Sequence, residues 1–174
     1  MQPIQPDRPL TRGRPERRGL VVGIGNLLRS DDRVGFAAVE RLGADPRLAD
    51  AGAAGRLRLV WAQQLTPELA IDFTAVDVVV LVDADAELAP GSISSRRVAA
   101  APSQGGSASL THHVDPGTLA AMATDLYGGA PEVFVVGVGP GSLDVGESLT
   151  PTVEAAVPVV VETVIQLLGA GFEG

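Results

Sequence analysis

The 174-residue chain reads as an α/β protein, a three-layer α/β/α sandwich. Its twisted sheet is expected to be mostly parallel, with about five strands and one antiparallel edge strand. Three observations predict this fold. Short apolar runs alternate with helix-length amphipathic segments, as β-α-β units do. The runs "GLVVGI" and "DVVVLVDA" are nearly unbroken in aliphatic residues, as in strands buried on both faces. Proline follows Thr or Asp at three expected helix starts, Thr66-Pro67, Asp115-Pro116 and Thr150-Pro151, each pair being the signature of such a start.

Residues 1–18, "MQPIQPDRPLTRGRPERR", are rich in Pro and Arg and have no apolar period. They read as a flexible arm before a single domain over 19–174. Residues 20–24 form the first strand. "VGFAAVERL" at 34–42 follows a helical period that places Phe36, Val39 and Leu42 on one face, with Gly43 as the stop. "RLRLVWAQ" at 56–63 alternates and predicts a second strand, and "LTPELAIDF" predicts a helix capped by Thr66. Residues 77–84 are the third strand. "GSISSRRVA" at 91–99 alternates weakly and carries polar residues, which suits an edge. Residues 100–111 are small, polar and Gly-rich, the composition of a mobile loop. A helix then opens at Asp115-Pro116, another buried strand covers 132–139, and the last helix opens at Thr150-Pro151. Val153, Val157, Val160, Val161, Val164 and Leu168 mark the buried stripe of that helix.

Bulk composition narrows the function. The hydrophobic fraction is 45% and aromatics are only 3%, so the core is aliphatic. A net charge of −8 leaves no basic footprint for nucleic acid. The absence of cysteine excludes a catalytic thiol, a disulfide framework and thiolate metal ligation. It agrees with a cytoplasmic location, and a monomer is expected. No apolar run reaches the roughly 20 residues of a membrane span, so no membrane contact is expected. Arg17-Arg18 precedes an apolar stretch, but that stretch runs into "RSDD" without a small-residue cleavage site. It reads as the first core strand and not as an export signal.

The stretch "GIGNLLRSDD" at 23–32 joins a strand to a glycine turn and two acids. A dinucleotide fingerprint needs a third glycine at position 28, where this chain has leucine, and a P-loop needs a lysine, which the chain lacks. No G-x-S-x-G elbow occurs. Metal chemistry remains. In an open α/β sheet, sites form beyond the carboxyl ends of the strands. Asp31 and Asp32 follow the first strand, Asp83 and Asp85 end the third, and His112 and His113 close the Gly-rich segment. Two carboxylates and an imidazole suit a divalent first-row metal. Each residue also has a structural reading. Asp31 and Asp32 favour a helix N-terminus, Asp83 is an acid leaving a buried strand and needs a partner, and a histidine near a helix start often has no ligand role.

Four segments in order carry a resemblance: "GIGNLLRSDDRVG", "VVVLVDA", "LTHHVDPGTL" and "GESLTPTVEAAVP". Together they resemble the nickel–iron hydrogenase maturation proteases, the endopeptidases that remove the C-terminal extension of the hydrogenase large subunit after nickel insertion. The resemblance implies that the catalytic, metal-binding residues are Asp32, Asp83 and His112, the last chosen over His113 because Pro116 stands four residues on. It places Asp31, Asp85 and His113 beside the ligands, and Gly23, Gly25 and Asn26 in the turn that delivers Asp32. It implies nickel presented by the substrate precursor, no organic cofactor, and the large-subunit precursor as partner. Two departures stand out: "WAQQLTPEL" replaces a "DGGT"-like segment, and Arg33 occupies a position usually held by a small residue. The alternatives are a nickel-binding chaperone or sensor on the same fold, and a nucleotide-binding module resting on two glycines alone.

Overall fold

A computed structural model describes residues 17–101, 114–169 and 171–172. Its strands are β1 (Gly19–Ile24), β2 (Leu57–Ala62), β3 (Val78–Ala84), β4 (Ile93–Val98) and β5 (Glu132–Val138). Its α-helices are α1 (Val34–Gly43), α2 (Ala49–Ala53), α3 (Leu69–Phe73), α4 (Pro116–Tyr127) and α5 (Pro151–Leu168). One sheet has the order β2-β1-β3-β5-β4. β1 runs parallel to β2 and β3, and β3 parallel to β5, while β4 pairs antiparallel to β5 at the edge. The three-layer fold with an antiparallel edge strand is as the sequence predicts.

Strand alternation divides the core into two halves. Val21, Val80, Val82 and Val136 face one side, where α1, α2 and α5 pack. Leu20, Val22, Val79 and Leu81 face the other, where α3 and α4 pack. Every residue of β1 is buried, as are the first five of β3. Each fully buried aliphatic side chain contributes roughly 1.5–3 kcal/mol.

Several local expectations need correction. The buried stripe of α1 is Val34, Ala38 and Leu42, with Gly35 beside it. Phe36 is only half-buried and meets Trp61 edge to face, with ring centroids 6.0 Å apart. The cause is close backbone packing: a Cβ on Gly23 would lie 2.1 Å from the Gly35 carbonyl oxygen. Helix α1 can therefore sit directly on β1 only through glycine on both sides. Gly23 lies within the strand and serves this contact, not the turn. Gly43 is the last helical residue rather than the stop, and Ala44 caps the helix in right-handed conformation. Helix α3 starts at Leu69, after a turn in which the Leu69 amide bonds the Thr66 carbonyl at 3.1 Å. The elements over Pro46–Leu48, a 3₁₀ turn, and Ala49–Ala53 were not expected.

The starts of α4 and α5 are as expected. Asp115 accepts a bond from the Thr118 amide at 3.0 Å, and Gly128 ends α4 in left-handed conformation. Helix α5 has 18 residues and, by length and composition alone, is apolar enough to cross a membrane. In the fold its valine stripe, Val153 to Val164, is buried on the sheet. At the other end of the chain, Arg17 pairs with Glu132, and the Arg18 amide bonds the Asp77 carboxylate at 2.7 Å. The last two residues of the expected arm are thus fastened to the body. Of the loop expected over 100–111, residues from 102 on lie outside the described residues.

Candidate functional site

Strand order reverses between β1 and β3: from β1 the chain moves outward to β2, then returns across β1 to β3. Beyond the carboxyl ends of two such strands lies the crevice in which open α/β sheets place their sites. Here β1 leads to Asp32 and β3 ends at Asp83-Ala84. A cavity of about 500 Å³ opens at this point, and Asp32, Asp83 and Asp85 all line it.

A tight local structure delivers Asp32. Gly25 has φ +134°, a conformation open to glycine. The Trp61 indole N–H donates to the Gly25 carbonyl at 3.1 Å. Asn26 ties the turn twice, its Oδ1 accepting from the Leu28 amide at 2.9 Å and its own amide donating to Asp32 Oδ2 at 2.9 Å. A 3₁₀ turn over Ser30–Arg33 completes the approach. Asp32 therefore enters the cavity with one carboxylate oxygen already fixed.

Asp83 is the electrostatically unusual group. Burial pushes its carboxyl up to about 6. Asp32 and Asp85 push the same way, against the Ala84 amide, which favours the ionised form. Asp85 is held in a turn, its Oδ1 accepting from the Glu87 amide at 3.0 Å and its amide donating to the Val138 carbonyl at 2.8 Å. The crevice thus gathers carboxylates whose mutual repulsion a divalent cation would offset.

Asp31 does not line the cavity. It is fully buried and bonds the segment between β5 and α5. His112 and His113 lie outside the described residues. Val114, which follows them in sequence, lines the same cavity as Asp32 and Asp83. Among the described residues, no three His, Asp or Glu side chains are grouped to hold a metal ion. Sequence reasoning missed Gln63, Gln64 and Arg96, which supply further polar wall. The glutamines directly follow β2 at its carboxyl end, a position that marks them for the crevice. Arg96 lies within the edge strand and carries no such signal.

No protein-family model matches the sequence, and no curated protein matches it. Solved structures do. The hydrogenase maturating endopeptidase HybD from E. coli is 26% identical, with a TM-score of 0.65 over 87% of this chain and 91% of that one. A hydrogenase 2 maturation peptidase from a Thaumarchaeota archaeon is also 26% identical, with a TM-score of 0.64 over 88% and 99%. The [NiFe] hydrogenase maturation protease HycI from Thermococcus kodakarensis shares the fold at 21% identity, with a TM-score of 0.65 over 88% and 94%. These likenesses bear out the family resemblance carried by the four sequence segments.

Proposed function

We propose that the protein, sharing its fold with the hydrogenase maturation endopeptidases, is itself such an enzyme. It removes the C-terminal extension of a nickel–iron hydrogenase large-subunit precursor and recognises the nickel already bound there. The observation that carries this reading is the meeting of Asp32 and Asp83 in one cavity at the strand-order reversal, in a chain 26% identical to HybD.

In this reading nickel belongs to the substrate. Asp32 and Asp83, with His112 as third ligand, complete its coordination when the precursor docks. Three further features support the assignment. Asp32 is preset by the Asn26 amide, the repulsion around Asp83 suits a cation, and Val114, two residues after His112, stands at the cavity wall. Hydrolysis adds water across the scissile peptide bond. It leaves a carboxylate on the processed subunit and an amine on the released extension. A carbonyl or water polarised beside a divalent cation is the established route to such a step.

The test is the intact mass of precursor after incubation with the protein, in nickel-loaded and nickel-free forms. The reading expects the loaded precursor to lose the mass of its extension and the nickel-free form to stay whole. A stable complex without trimming would mark a chaperone instead. Equal trimming of both forms would remove nickel from recognition.

A further inference from the structure

Asp31 is the only fully buried charged side chain among the described residues. Its Oδ2 accepts from the Gly141 amide at 2.8 Å, the Ser142 amide at 3.0 Å and the Thr150 hydroxyl at 2.8 Å. Its Oδ1 accepts from the Thr150 amide at 2.6 Å. Burial alone would raise this carboxyl, but the donors from Thr150, Ser142 and Gly141 outweigh it and hold the group below its ordinary range. Thr150 is the cap position of α5, yet its side chain makes no capping bond within that helix. Its hydroxyl serves Asp31 instead.

Other bonds join the same two segments. The Ser30 amide donates to the Gly146 carbonyl at 2.8 Å, and the Gly146 amide to the Leu28 carbonyl at 3.0 Å. Arg29 donates to the Leu143 carbonyl at 3.0 Å, and Arg33 bonds the Glu147 carbonyl. Ser30 holds φ +28°, unusual for a residue with a Cβ. Such backbone persists only where its surroundings enforce it. The segment between β5 and α5 is therefore the template on which the turn carrying Asp32 is shaped, and Asp31 is its buried fastening.

We propose that Asp31 is a positioning residue, whose buried carboxylate locks the 141–150 segment to the 3₁₀ turn and so holds Asp32 in the crevice. Every one of these hydrogen bonds to the Asp31 carboxylate is accepted by it, from an N–H or O–H donor. An amide in its place must turn an NH2 group toward at least one of those donors, leaving the network partly unsatisfied. The catalytic part of this inference rests on the maturation-protease reading, while the conformational part stands apart from it.

The experiment compares wild type, Asp31→Asn, Thr150→Val and the core control Val164→Ala. Two quantities are measured: hydrogen exchange of the Asn26 amide, which donates to Asp32 Oδ2, and kcat/KM on nickel-loaded precursor. Asp31→Asn is expected to speed Asn26 exchange and to lower kcat/KM, each at least tenfold beyond the control at matched thermal stability. Thr150→Val, which removes a single donor, should fall between, and it decides the matter if Asp31→Asn does not fold. Exchange and kcat/KM in these variants equal to those of Val164→Ala would overturn the inference. If wild type trims no precursor, the protease reading fails, and Asn26 exchange alone still decides whether Asp31 positions Asp32.

Discussion

A Cβ added to Gly25 would lie 1.7 Å from the carbonyl oxygen of Asp32. The turn that leaves β1 and the turn that carries the proposed ligand thus touch backbone to backbone. Any side chain at position 25 must push Asp32 out of place. Gly25→Ala is expected to cost about 3 kcal/mol or more, since it combines a strained φ with a backbone clash. Thermal denaturation checks this; a variant within about 0.5 kcal/mol of wild type would show that the turn can yield.

Asp83 is a stability liability at neutral pH. Its folded-state carboxyl sits at about 6, above the roughly 3.9 of an unfolded aspartate. The folded protein therefore binds this proton more tightly than the unfolded chain. Stability falls as pH rises from about 4 to about 6, and the loss is complete above that window. The raised value corresponds to roughly 3 kcal/mol. Asp83→Asn should melt higher than wild type at pH 8, with the gap closing toward pH 4, and should trim precursor at least a hundredfold less efficiently. A variant that melts lower than wild type at pH 8 would contradict this account of the crevice.

The histidine assignment is separable by mutation. His112→Ala is expected to abolish trimming of nickel-loaded precursor, and His113→Ala to retain most of it. The reverse result would shift the third ligand by one residue. Rates from both variants under identical precursor loading decide between them.

Much of this fold was legible because its signals are local. The Val/Leu run of β3 and the Pro-marked starts of α4 and α5 each depend on a few adjacent residues. Helix α2 was missed because five residues in "ADAGA" are too few to show a period. The inward face of α1 was misassigned because Gly35, not Phe36, meets the strand, a choice made by backbone proximity. With Asp32 chosen over Asp31 by the family resemblance, its meeting with Asp83 in one crevice was legible, because the carboxyl ends of strands are where open α/β sheets form sites. The work of Asp31 was not, since its partners stand 110 or more residues away in the chain and no spacing rule reaches them. Arg96 was missed for a similar reason, because its place at the cavity depends on β4 pairing with β5.

The central claim is that Asp32 and Asp83 act together on one nickel. The most direct test is a double-mutant cycle on kcat/KM for nickel-loaded precursor, using Asp32→Asn, Asp83→Asn and the double variant. Residues that act as a unit lose their effect together. Each single variant is expected to lose at least a hundredfold, and the double variant to be little worse than either single one. Losses that multiply, or a single variant that keeps near-wild-type trimming, would contradict a shared site.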